Sequence, residues 1–456
     1  MNLDPVFAHI RQHRESYVSR FKEALAIPSI STFSENKGDM QEMATWFAEQ
    51  MRAMGLENVA LMPTSHNPVV YGDWLHAPGK PCLLVYGHYD VQPCDPLHEW
   101  TTPPFDPAIR DDNIYARGAS DMKGQIFAQL MAVESMLQVD GELPINIKYL
   151  IEGDEEVGSP GLEAFIREHK ELLHCDAVVN CDSIIHAVDA PSLVYALRGL
   201  ACFELRLFGQ PKDVHSGMFG GIIRNPLHVL CKVLAGMHDD QGRITLPGLY
   251  DTVRPLDDEE RAVLKEGPYD DAYYLKLSGA SKLYGESGFT PVERLGARPS
   301  LDINGIWGGF QGEGSKTVLP ASCGAKFSLR LVADQGLDQV VEQVKAYMKA
   351  AVPQGYRYEL IVHSLGPGAI MDRKAPAMRA AATAIEMIFK KKPFFRREGA
   401  SVPVVALMQQ QLGVDSVMLG FGLPEDGIHG PDEHQSLPLL FQGMECYAQF
   451  MKLLAL

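Results

Sequence analysis

The stretch Cys82-Leu83-Leu84-Val85-Tyr86-Gly87-His88-Tyr89-Asp90 sets the reading of the whole chain. Its first five residues are a short apolar run between Pro81 and Gly87, the pattern of a buried-type strand. Ionisable groups follow at once where the strand ends. In open α/β sheets, sites form at the carboxyl ends of the strands. Working outward, the habit repeats. Ile145 to Ile151 is strand-like and runs into Glu152-Gly153-Asp154-Glu155-Glu156. Ala177-Val178-Val179 runs into Asn180-Cys181-Asp182, and the strand Ser416–Leu419 precedes Gly427-Ile428-His429. Helical periodicity lies between and around them, at Phe7, Ile10, Tyr17, Phe21 and Leu25, then over Asp39–Met54, Gly124–Leu137 and Leu162–Leu173. Strand–helix alternation of this kind predicts an α/β layer with a mainly parallel sheet.

Near Arg198-Gly199 the texture changes. Ala201 to Phe208 alternates apolar and polar, as a half-exposed antiparallel strand does. Cys323 to Val332 repeats this, with Phe327, Leu329 and Leu331 on one face. Helices at Pro226–Met237 and Gln335–Ala351, a polar insertion over about 240–300 and a strand Tyr356–Val362 complete the segment. The α/β texture returns with the helix Ala375–Phe389. The expected organisation is one domain from 1–198 and 372–456, interrupted by an inserted α+β domain over 199–371. A chain of 456 residues suggests roughly three domains by length alone; the insertion reduces that to two.

The net charge of −17 argues against a phosphate backbone or a polybasic membrane surface as partner. The N-terminus lacks the basic and apolar regions of a signal peptide. The 8 cysteines show no C-x-x-C and often sit in strand-like contexts. They read as thiols in a reducing compartment, and the expected location is cytoplasmic.

Each ionisable cluster has a plain reading of its own. His88 alone fits a structural histidine, Asp121 in Arg117-Gly118-Ala119-Ser120-Asp121 fits a helix N-cap, and four acids in five residues at 152–156 fit a solvated loop. In an extended stretch Glu155 and Glu156 would point in opposite directions and could hold different roles. Together the clusters are harder to dismiss, because they follow strands of one sheet. Two imidazoles with several carboxylates and no thiolate suit Zn²⁺ or Mn²⁺. One further carboxylate would serve as general base on a metal-bound water.

The motifs GHYDVQP at 87–93, RGASDMKG at 117–124, EGDEEVGS at 152–159, NCDS at 180–183 and GIHGPDE at 427–433 resemble, in order, those of a di-zinc metallopeptidase family. That family contains carnosinase, cytosolic nonspecific dipeptidase, aminoacylase and succinyl-diaminopimelate desuccinylase. The resemblance runs nearly end to end. It implies a zinc-peptidase-like catalytic domain with a mixed, mainly parallel sheet flanked by helices, and an inserted lid and dimerisation domain with hinges near 198–200 and 366–372. It implies two divalent cations per subunit, Zn²⁺ ahead of Mn²⁺. Asp121 would bridge them, with His88 and Asp182 completing one site and Glu156 and His429 the other. Glu155 would be the general base, and Asp90 would orient His88. The peptide bond after Asp121 is often cis in such proteins. In the inserted domain, His215 would stabilise the oxyanion, often from the partner of a homodimer. Thr317 and Arg330 would hold the substrate's carboxylate, and Ser401, in Glu398-Gly399-Ala400-Ser401-Val402-Pro403, would contact substrate. The chain departs from the family pattern at Ala400, for Gly, and Asp432, for Asn.

Within that family, members that bind a free substrate amine tend to have Asp where this chain has Asp182. With the matches at Arg330 and Thr317, the resemblance implies a dipeptidase over the alternative, an N-acyl amino acid deacylase of aminoacylase or desuccinylase type. The implied partner is a dipeptide or short peptide. Two other readings are weaker. Gly309 to Thr317 looks like a phosphate-binding loop, but Ser315 separates the glycine from Lys316, and neither a feeding strand nor a following helix is evident. A non-catalytic scaffold would have lost a ligand or the base, and all six candidates are present.

Overall fold

A computed structural model describes residues 2–456. The chain divides into two compact units: one runs to Tyr195 and resumes over Met371–Phe395 and Leu407–Leu456, the other comprises Ala196–Ile370 and Arg396–Ala406.

The first unit is built on a mixed sheet. Its strands run in the order Glu57–Met62, Val69–Trp74, Asn146–Glu152, Cys82–His88, Ala177–Asn180, Ser416–Met418 and Ser192–Leu197. The four central strands are parallel, and the outer pairings are antiparallel. Register decides where the chemistry emerges. His88 stands opposite Glu152, and Tyr86 opposite Asn180, so three chain segments leave the sheet at one edge. The helix Lys123–Asp140 is buried over most of its circumference, its polar residues Lys123, Gln125, Gln129 and Ser135 included. The helix Leu437–Leu454 packs on it and on Pro376–Phe389. The N-terminal helical pattern is two helices, Asp4–Gln12 and Arg14–Ala26, broken at His13.

The second unit holds a four-stranded antiparallel sheet in the order Ser300–Gly308, Ser322–Leu331, Gly199–Phe208 and Arg357–Gly366. Phe327, Leu329 and Leu331 are buried as their alternation predicts, and Phe203 stacks on Phe327 with ring centres 5.3 Å apart. Val229, Val233, Val344 and Met348 of the helices Pro226–Ala235 and Leu337–Ala351 close this core. Arg396–Ala406 groups with this unit because its contacts are here. Arg397 Nη2 lies 2.6 Å from Glu260 Oε1, and Arg198 Nε donates to Gly399 O at 2.9 Å. One expectation needs correction. A strand, Ser300–Gly308, does feed the glycine-rich loop at 309–317, but the loop leads into the strand Val318–Leu319 and no helix follows. The geometry of a phosphate-binding loop is therefore missing.

Among the described residues, no helix is long and apolar enough to cross a membrane. All eight cysteines are free thiols.

Candidate metal centre

Five side chains from five separate segments converge beyond the sheet edge of the first unit. Ligand atoms of His88, Asp121 and Asp182 lie within 4.8 Å of one another, as do those of Asp121, Glu156 and His429. Asp121 belongs to both groups. His429 Nε2 is 2.9 Å from one Asp121 oxygen and 3.5 Å from Glu156 Oε2, while His88 Nε2 is 3.3 Å from the other Asp121 oxygen. His88 Nε2 and Glu156 Oε1 are buried and have no hydrogen-bond partner. Buried polar atoms are nearly always satisfied, so two orphans aimed into one carboxylate cluster fit a site made for cations. The donor set, imidazole and carboxylate without thiolate, fits Zn²⁺ or Mn²⁺.

Electrostatics agree. Burial, then repulsion from Asp121, pushes Glu156 up to about 8 and Asp182 up to about 7. Burial also raises Glu155. Hydrogen bonding to Asp121 lifts His429 to about 9, and against the opposing effect of burial the nearby carboxylates of Asp121 and Asp90 lift His88. Asp121 is held well below the carboxylate range by the two imidazoles, although burial opposes this. Without cations the cluster is short of positive charge and retains protons.

The acids at 152–156 divide their roles. Glu152 accepts hydrogen bonds from Tyr86 at 2.7 Å and Ser159 at 2.8 Å. Asp154 accepts from the Asn67 side chain at 2.6 Å and fixes the neighbouring loop. Gly153 must be glycine, since a Cβ there would meet the Tyr89 ring at 2.2 Å. Glu155–Val157 is one turn of 3₁₀ helix, not the extended stretch expected, and Gly158 ends it at φ 87°. Asp90 organises this turn: its carboxylate accepts from Glu155 N at 3.2 Å, Glu156 N at 3.0 Å and Ser31 Oγ at 2.7 Å. His88 Nδ1 lies closer to the Asp90 main-chain oxygen, 3.0 Å, than to its carboxylate, 3.3 Å. Asp90 thus meets the imidazole through both groups.

Two supporting residues escaped the sequence reading, although both lie inside the quoted motifs. Gln92 Nε2 donates to Glu156 Oε2 at 2.8 Å. Glu433 is fully buried and accepts from Arg117 Nη1 at 2.6 Å and from the main-chain N–H groups of Gly118, Ser120 and Asp121, each at 3.0 Å. It ties the His429 loop to the loop that carries Asp121. The Asp121–Met122 peptide is cis, as the resemblance implies. Asp432 accepts from Thr101 N at 3.0 Å and Oγ at 2.6 Å, a role its carboxylate fills well. Glu433→Gln leaves Arg117 as an uncompensated buried charge. It is expected to destabilise the fold by about 3–5 kcal/mol and to weaken metal binding. A thermal melt and a metal titration check this; wild-type values in both would show that the tie is dispensable.

The remaining expected site residues lie in the second unit. His215 and Val318 are paired on adjacent strands, and Ser216 N donates to Thr317 O at 3.0 Å, so His215 and Thr317 sit side by side. His215 Nδ1 accepts from Gly217 N at 3.0 Å, which leaves Nε2 to carry the ring proton. Arg330 Nη1 donates to Ser401 Oγ at 2.8 Å. Each pair therefore forms within this unit.

Comparison with known proteins adds a second line. The sequence pattern of peptidase family M20/M25/M40 matches residues 84–453. The Cys-Gly metallodipeptidase DUG1 of Candida albicans is 32% identical over 452 residues, 94% of this chain and 93% of that protein. The human Beta-Ala-His dipeptidase is 30% identical over 465 residues, 98% of this chain and 92% of that one. The crystal structure of an M20 family metallo-carboxypeptidase, Sso-CP2 from Sulfolobus solfataricus, superposes with a TM-score of 0.84 at 32% identity, covering 96% of this chain and 99% of the other.

Proposed function

Because the chain belongs to peptidase family M20/M25/M40, we propose that its carboxylate–imidazole cluster is the centre of a two-metal dipeptidase with Glu155 as the proton-transferring base. The chain is a metal-dependent peptidase of the dipeptidase type. The observation that carries the reading of the site is the pair of three-residue ligand groups sharing Asp121, with Glu155 beside them and outside both. His88, Asp121 and Asp182 hold one cation, and Asp121, Glu156 and His429 the other. Zn²⁺ is the first choice and Mn²⁺ the second. When bound, such cations acidify a water and polarise the scissile carbonyl.

The chain's own residues supply the rest. The Glu155 carboxylate takes the proton of the attacking water and returns it to the leaving amine. Its burial raises its affinity for that proton. His215 donates Nε2–H to the oxyanion that forms as the carbonyl becomes tetrahedral. Arg330, oriented by Ser401, meets the substrate's carboxylate with its planar fork, and Thr317 assists. The Arg330–Ser401 pair suits the carboxylate common to dipeptides and N-acyl amino acids, so the preference for a free dipeptide rests on the resemblance at Asp182. Eight free thiols support a cytoplasmic location.

Assaying Ala-Ala beside N-acetylalanine tests the reaction class. The dipeptide should be preferred by about 10⁴-fold in kcat/KM, the scale on which a site built for a polar group rejects an analogue lacking it. The reverse order would make the protein a deacylase. We also read the enzyme as a homodimer in which His215 and Thr317 serve the partner's centre. Mixed Glu155→Ala and His215→Ala protomers should then regain part of the activity. A mixture that stays inactive after verified subunit exchange rules out the trans arrangement.

A further inference from the structure

Wholly within the second unit lies a cavity of ≈ 420 Å³ that the peptidase chemistry does not use. Its walls are apolar, formed by Ile244, Leu283, Leu295 and Leu301 with the rings of Tyr274 and Tyr284. Its lining also carries three arginines, Arg198, Arg294 and Arg298. These are not equivalent. Arg298 is neutralised, because its Nε and Nη2 each donate to a Glu286 carboxylate oxygen at 2.7 Å. Glu286 is already shared with Arg243 Nη1 at 3.2 Å. Arg294 donates Nε only to the main-chain oxygen of Glu286, at 2.9 Å. Arg198 is 8% exposed, and its partners are neutral: Gly399 O at 2.9 Å and Ser300 Oγ at 3.2 Å.

Among the described residues, then, Arg198 and Arg294 line the cavity without an ion-pair partner. Asp302, also on the lining, is exposed and forms no ion pair with either, though it and Glu398 lie near enough to favour the Arg198 charge. Burial and the neighbouring charge of Arg330 draw Arg198 down only to about 10, so it stays cationic at neutral pH. A buried cation without a directly paired anion is costly, and a local excess of guanidinium groups stands out in a chain of net charge −17. The volume is that of a small-molecule pocket, apolar with a few convergent polar groups.

We propose that this cavity binds a small monocarboxylate with an apolar body, such as an arylalkanoate, its carboxylate on Arg198 and Arg294 and its body between the tyrosines and leucines. Guanidinium forks suit a carboxylate, and the walls suit a ring or short alkyl chain.

Isothermal titration of metal-loaded protein with 4-phenylbutyrate tests it, with 4-phenylbutanol as the uncharged control. One molecule should bind per chain, and the alcohol should bind at least about tenfold more weakly, since it forms no charge-assisted bond. Ser278 lines the mouth of the cavity and is exposed, so Ser278→Trp should fill it and abolish binding while dipeptide hydrolysis persists. Arg294→Gln should weaken binding by about tenfold. Unchanged affinity in both variants, or equal affinity for acid and alcohol, would place the ligand elsewhere, for example on Arg330, and overturn the proposal.

Discussion

In the proposed two-metal centre, replacing Glu155 by alanine should leave the metal content unchanged and lower kcat for dipeptide hydrolysis by about 10²–10⁴-fold. The separation of effects follows from the geometry. The Glu155 side chain belongs to neither three-residue ligand group. Its main chain is held by the Asp90 carboxylate at 3.2 Å, a bond that survives loss of the side chain. Glu156, the next residue, therefore keeps its place and its bond from Gln92. What is lost is a buried carboxylate whose burial raises its affinity for a proton, as a general base requires. Glu155→Gln keeps the volume and removes the basicity, so it should be as inactive as the alanine variant. Turnover near that of the wild type, or loss of metal by elemental analysis, would remove Glu155 from its assigned role.

Stripping the cations will lower the melting temperature, and the loss will grow as pH rises from about 5.5 to 8. In the metal-free fold Asp182 is raised to about 7 and Glu156 to about 8, against about 4 for unfolded carboxylates. The native state therefore binds more protons than the unfolded state between about pH 4 and 8, and stability falls as pH rises through this range. His429, raised to about 9 by Asp121, adds in the same direction above about 6.5, less strongly because it is half exposed. Asp121 is lowered, so its contribution changes only at acid pH, outside the window. Cations expel these protons and remove the penalty. At saturating metal the difference should be on the order of 10 °C at neutral pH. Asp121→Ala removes the residue common to both groups and should melt like stripped protein with or without added metal. A holo–apo gap that does not change with pH would contradict the charge balance described for the cluster.

The strand ends that hold the centre are legible in the sequence because each strand is a short, continuous apolar run, and acids directly after such runs are conspicuous. Other features resist reading for physical reasons. The strand Ser300–Gly308 slips register between Ile303 and Gly305, which breaks the two-residue period that would reveal it. The sheet Ala108–Arg110, Asn113–Tyr115, His434–Ser436 has three-residue strands and joins segments far apart in sequence. Arg396–Ala406 carries no local sign of belonging to the inserted unit, since its ties to Glu260 and Arg198 are long-range. Glu433 stands in a quoted motif, but its three main-chain bonds to 118–121 are visible only once the two loops meet.

The place of Ser416–Met418 in the sheet, between Ala177–Asn180 and Ser192–Leu197, bears on biosynthesis. This inner strand is translated after the whole of Ala196–Ile370. Until it leaves the ribosome, the growing chain carries an open slot with two unpaired, apolar edges, and His429 of the ionisable cluster is still missing. Such edges template pairing with other chains. A polypeptide that ends before Ser416 is therefore not a smaller enzyme but an aggregation hazard.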